Sequence, residues 1–103
     1  MTALPRYLFI TTSNGVRKRW KVVWLPKGHS MLEGSRGMIE APTVKGKRVF
    51  LEMGQEPHML FDTLVHEMAH AAGWNLSESW VHQFAEDVTT NMRRLGYEFK
   101  AVR

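Results

Sequence analysis

The stretch Arg48–Trp74, RVFLEMGQEPHMLFDTLVHEMAHAAGW, changes its hydrophobic period part-way along. Its first residues, RVFLEM, are apolar and bounded by charge and glycine, which predicts a strand. From Pro57 onward the apolar positions recur every three or four residues. Phe61, Leu64, Val65, Met68, Ala69 and Ala72 then form one helical stripe, centred near Val65 and Ala72. Pro57 suits the first turn of that helix, and Gly73 suits the position just past its end.

Downstream, NLSESWVHQFAEDVTTNMRRLGY (75–97) predicts a second helix with Val81, Phe84, Ala85, Val88, Met92 and Leu95 on its apolar face. Arg93 and Arg94 fall in its last turn, where cations favour the helix dipole, and Gly96 ends it. Upstream, RYLFITTSNGVRKRWKVVWLP (6–26) predicts a β-hairpin. Asn14-Gly15 suits a two-residue type I′ turn. Centring the turn there pairs Phe9 with Trp20 and Tyr7 with Val22, and puts Trp24 on the same apolar face. Arg17, Arg19 and Lys21 then share the opposite face with Leu8, Ile10 and Val23. The glycine- and charge-rich segment 27–48 reads as loops around a short strand near Gly37–Ala41. YEFKAVR is a short strand or tail.

Strands first and helices after argue an α+β fold. The expected architecture is a small antiparallel or mixed sheet, the hairpin plus one or two strands, followed by two packed helices. At 103 residues the chain is one domain, with sheet and loops over 1–56, the helices over 57–96 and a tail over 97–103. With no cysteine there is no disulfide and no thiolate metal site. No leader-like pattern and no apolar run of membrane-spanning length is visible. These features predict a cytoplasmic protein without membrane contact. The net charge of +4 hides an asymmetry. Residues 1–48 carry ten Lys/Arg against Glu33 and Glu40; residues 49–103 carry four against eight acids.

His66, Glu67 and His70 form H-E-x-x-H. Residues four apart on a helix lie one above the other, so two imidazoles can converge on one Zn²⁺. The intervening glutamate is offset. It can hold a zinc-bound water, take its proton and pass it to the leaving amine. On the helical wheel both histidines lie roughly 150° from the predicted apolar stripe, towards surface or cleft. A catalytic zinc wants a third protein ligand. The extended H-E-x-x-H-x-x-G-x-x-H pattern would need histidine where Leu76 stands. The remaining candidates lie on the second helix: Glu78, His82 and Glu86. A tight turn after Gly73 would bring Glu78 level with His70 and His82 level with His66. Glu78 also fits a capping box begun by Asn75, unless Ser77 caps instead.

Glu78-Ser-Trp-Val81-His82-Gln-Phe84-Ala85 resembles the E-x-x-A-N-x-F-A stretch that follows H-E-x-x-H in ImmA/IrrE-type gluzincin metallopeptidases. Glu78, Phe84 and Ala85 match; Val81 and His82 depart. The resemblance implies that Glu78 is the third zinc ligand, on a minimal zincin-like fold. Residues 58–97 also resemble small metallopeptidase-like proteins of bacteriophages and prophages, which would place the chain in a bacterial host's cytosol. Zincins usually dock a peptide along an edge strand, here KRVFLEM or RGMIEA. Tyr97, His58 and His29 are candidate oxyanion donors.

The leading expectation is therefore a zinc metallopeptidase that hydrolyses a peptide or protein, with His66, His70 and Glu78 as ligands and Glu67 as general base. The alternative is a non-catalytic zinc-containing binding module. Its basic hairpin, with Arg17, Lys18, Arg19 and Lys21 interleaved with Trp20 and Trp24, would contact nucleic acid or a host protein.

Overall fold

A computed structural model of the chain describes residues 6–100. It is α+β: a four-stranded mixed sheet followed by two helices. The strands are β1 (Tyr7–Thr11), β2 (Arg17–Leu25), β3 (Gly37–Ile39) and β4 (Arg48–Glu52). Their order across the sheet is β1-β2-β4-β3. β1 and β2 pair antiparallel, β2 and β4 parallel, and β3 and β4 antiparallel. The helices are α1 (Pro57–Ala72) and α2 (Glu78–Arg94). Residues 101–103 of the predicted tail lie outside the described residues. Before them, Phe99 stacks on Phe61 of α1 at 4.4 Å between ring centres.

The hairpin differs from expectation by one residue. Phe9 pairs with Arg19 and Leu8 with Trp20, not Phe9 with Trp20. The connection is the cause. Gly15 N–H donates to Thr12 O, Thr12 N–H donates to Val16 O, and Gly15 takes φ +83°. This is a three-residue loop, Ser13-Asn14-Gly15, with glycine at the left-handed position, in place of a two-residue turn. A slip of one residue exchanges the faces of β1. Leu8 and Ile10 turn inward beside Trp20, while Tyr7 and Phe9 turn outward beside Arg17, Arg19 and Lys21.

The inner face makes the core. Ile10, Trp20, Ile39, Val49 and Leu51 pack with Ala71 of α1, and Leu64, Ala72, Val22 and Trp24 border them. Trp20 is fully buried, and its Nε1–H donates to Glu40 O at 2.9 Å. The expected Trp20 and Trp24 in a basic surface therefore belong to the inside. Lys18 leaves that surface too, since its Nζ donates to Pro42 O. The hairpin loop touches the far end of α1, where Ser13 N–H donates to Ala72 O. That contact satisfies a carbonyl which the helix end leaves unpaired.

The helices also bury different lines from those expected. On α1 the most buried positions are Leu60, Thr63, Glu67 and Ala71, whereas Met68 is exposed. On α2 they are Val81, Ala85 and Thr89; Phe84 and Leu95 are exposed. Phe84 stacks instead on Trp80, one turn back. α1 lies between the sheet and α2, so its packed surface is wider than one stripe and includes the flank carrying Glu67. Among the described residues no helix is long and apolar enough to cross a membrane.

Candidate metal centre

Three elements converge beside β3. α1 supplies His66 and His70 from successive turns. The five-residue connection 73–77 folds back tightly: Gly73 N–H donates to Ala69 O, and Leu76 N–H donates to Gly73 O. Leu76 packs so close to Gly73 that a Cβ there would stand 2.6 Å from Leu76 Cδ1. Ser77, not Asn75, is the N-cap of α2, its hydroxyl accepting from Trp80 N–H. Glu78 is thus the first residue of α2 and its side chain is not spent on a cap. It reaches back across the turn.

Glu78 Oε1 lies 2.8 Å from His66 Nε2, and Glu78 Oε2 lies 2.6 Å from His70 Nε2. The two ring nitrogens are 3.2 Å apart. The group offers two imidazole nitrogens and a carboxylate, with ligand atoms all within 4.8 Å of one another, and it could hold a metal ion. The separation of the two ring nitrogens suits one, while the Glu78 oxygens stand at hydrogen-bond distance from both rings. Two ligands at about 2.0–2.1 Å from a tetrahedral centre stand about 3.3 Å apart, close to the separation of the two nitrogens. The histidines are largely shielded, their side chains 18% exposed, while Glu78 is 71% exposed. The set is therefore anchored on one side and open on the other. The positive end of the α2 dipole favours a carboxylate at its first position.

The other proposed ligands stay out of the group. His82 Nε2 lies 3.5 Å from Glu86 Oε2, pairing the two alternatives with each other. The His82 ring stands 6.3 Å from that of His66, at the rim of the site.

Glu67 occupies a different place from its two neighbours in the motif. It is only 7% exposed and points towards β3. Gly37 makes this approach workable: a Cβ there would stand 3.1 Å from Glu67 Oε2 and 2.7 Å from Thr63 Cγ2. Burial pushes the Glu67 carboxyl up to about 7, and the negative charge of Glu78 pushes in the same direction. A group poised there can both accept and return a proton near neutrality. Sequence reasoning placed Glu67 beside the metal ligands but missed Gly37, because the contact spans thirty positions and has no local signal.

Comparison with protein-family models, with curated proteins and with solved structures returns no match. The chemistry of the site therefore rests on its own geometry.

Two cavities meet at the cluster and share Ser35, Gly37, His66, Glu67 and Glu78. The larger, about 530 Å³, has an apolar wall of Met38, Ile39, Trp74 and Leu76. The smaller, about 250 Å³, is lined by polar side chains, among them Arg36, Asp62 and His82. β3 borders both. Of the two edge-strand candidates, RGMIEA is at the edge and KRVFLEM is interior, since β4 is paired on both sides. Arg36 O accepts from Glu52 N–H, and Glu40 N–H donates to Arg48 O, so alternate peptide groups of β3 face β4. Those of Gly37 and Ile39 face outward. None of the three candidate oxyanion donors lines either cavity. His29 caps the short 3₁₀ turn Ser30–Leu32 and His58 contacts Glu56. Tyr97 lines a separate hollow with His58 and Arg93.

Proposed function

We propose that this chain is a zinc-dependent peptidase that holds an extended peptide along β3. The observation that carries the reading is the meeting of His66, His70 and Glu78 beside a shielded Glu67, in a cleft open to one side. Two nitrogens and one oxygen are donors suited to zinc, and three protein ligands leave the open position that catalytic sites require. Zinc bound there would polarise the scissile carbonyl and acidify water at the same position.

The protein's own residues do the rest. Glu67 takes a proton from the attacking water at its carboxylate and delivers it to the departing amine nitrogen. Its burial keeps bulk water from competing for that proton. The outward Gly37 N–H, with the N–H and carbonyl of Ile39, pairs with the peptide backbone as a further strand would. Trp74, Leu76, Met38 and Ile39 accept a large apolar side chain at one end of the cleft. The resemblance of residues 58–97 to ImmA/IrrE-type and phage-encoded metallopeptidases supports the same reading.

The test is zinc-loaded protein incubated with a mixture of unstructured peptides, the products being mapped by mass spectrometry. The expected result is cleavage beside large apolar residues. Glu67→Gln retains zinc by elemental analysis and loses hydrolysis. Undiminished turnover in that variant, or no cleavage by the fully loaded wild type, would remove the peptidase reading.

A further inference from the structure

The outward face of the hairpin is built in alternation. Arg17, Arg19 and Lys21 follow one another along β2, about 7 Å apart at two residues per step. Thr11, Phe9 and Tyr7 stand across from them on β1. Each arginine leans along the ladder onto a ring. Arg17 Cζ lies 4.7 Å from the centre of Phe9, and Arg19 Cζ lies 4.6 Å from the centre of Tyr7. Phe9 is 53% exposed although the core lies directly beneath the strand. Beside Tyr7, a shallow cavity of about 240 Å³ is lined by Arg19, Lys21, Gly46 and Lys47, with no acid among its residues. Among the described residues, Arg17, Arg19, Lys21 and Lys47 enter no ion pair. The nearby acid Glu40 is taken by Arg48 at 2.9 Å.

We propose that this face binds single-stranded nucleic acid. Three unneutralised cations on one side of a sheet, Arg17, Arg19 and Lys21, make a field that draws a polyanion. The interleaved rings narrow its class. An acidic peptide would neutralise the charges but bring nothing flat to stack on the ring–guanidinium pairs. Unpaired bases present flat π-faces, which stack on aromatic rings and on guanidinium groups. In a duplex those faces are already stacked on each other. The cations then follow the phosphates and the rings follow the bases, so the face reads backbone and stacking, not sequence. It is the sheet face opposite the one that packs on α1, so a bound strand would not fill the metal cleft.

The test is fluorescence anisotropy with a labelled oligothymidylate about a dozen nucleotides long, titrated between about 50 and 200 mM salt. Log affinity is expected to fall linearly with log salt. Arg17→Ala with Arg19→Ala should flatten that slope by about 1.4, two phosphates at about 0.7 each. Arg17→Lys with Arg19→Lys should restore the slope. Phe9→Ala or Tyr7→Ala should weaken binding roughly fivefold or more at unchanged slope, as the loss of one stacked base does. Absence of binding at the lowest salt overturns the proposal. So does a slope indifferent to the two arginines, tighter binding of the same sequence as duplex, or polyglutamate binding that equals the oligonucleotide and ignores Phe9 and Tyr7. The readout needs neither metal nor hydrolysis, so its failure is separable from failure of the peptidase reading.

Discussion

Gly37 and Glu67 press on the same space: a Cβ on the glycine would stand 3.1 Å from Glu67 Oε2 and 3.2 Å from its Cγ. The strand that borders the cleft therefore also sets the position of the proposed base. Gly37→Ala should push Glu67 and Thr63 outward. The expected stability cost is about 1–3 kcal/mol, the usual range for overpacking. Hydrolysis should fall further than that cost implies, by up to about 100-fold, since small misplacements of a reacting group are costly. Zinc content should stay that of the wild type. Calorimetry beside a peptide assay checks this, and full activity in the variant would disconnect Gly37 from Glu67.

The ligand assignment separates Glu78 from His82. Glu78→Ala removes one of three donors, so zinc affinity should drop by roughly 100-fold or more. His82→Ala should leave it nearly unchanged, because His82 faces Glu86. Competition titration against a chelating dye gives both values. The reverse pattern would transfer the third position to His82.

The pH dependence of the metal-free protein carries the signature of Glu67. Its carboxyl is raised from the ordinary 4.5 to about 7 in the folded chain. Between those values the folded chain binds the proton and the unfolded chain does not, so stability falls as pH rises through that window. The destabilisation is complete above about 7. At about 1.4 kcal/mol per pH unit over about 2.5 units it is bounded at about 3.5 kcal/mol. Glu67→Gln removes it. The variant should match the wild type near pH 4.5 and exceed it by up to about 3.5 kcal/mol at pH 8. Subtracting the two urea-unfolding series cancels every contribution that the two proteins share. A difference that stays constant with pH would contradict the buried charge.

The hairpin register is open to a simple comparison. Trp20→Ala empties a fully buried site and orphans Glu40 O, so it should cost about 3–5 kcal/mol. Phe9→Ala, on the exposed face, should cost under about 1 kcal/mol. In the register that a two-residue turn would impose, Phe9 and Trp20 would be cross-strand partners and both substitutions would be severe. Thermal unfolding of the two variants distinguishes these cases.

Much of this molecule was legible in its residues, for physical reasons. The switch from strand to helical periodicity at Pro57 marks the α+β boundary, because burial on one side of a helix leaves a regular imprint. His66 and His70 are one turn apart wherever that helix forms, and a short return after Gly73 brings Glu78 beside them. What stayed hidden depends on contacts between distant positions. Asn14-Gly15 fits a two-residue turn and also the last two positions of the three-residue loop, and hydrogen bonds from Thr12 and Gly15 decide between them. The burial of Glu67 depends on Gly37 and on a sheet order in which β4 inserts between β2 and β3. The exposure of Phe84 follows from the line along which α2 meets α1, and an apolar face on a wheel does not specify that line.

The brevity of β3 has its own consequence. Its three residues expose only two outward peptide units, and Ser35 Oγ, whose single proton has Leu32 O at 2.5 Å as its nearer acceptor, crowds Gly37 O at 3.0 Å. A guest chain aligned there gains few backbone hydrogen bonds, each worth about 1 kcal/mol net. If β3 holds a peptide as proposed, grip along the rim would therefore be slight, and discrimination between guests would pass to the Trp74 side of the cleft. The same shortness leaves little exposed ladder on which another molecule's strand could zip.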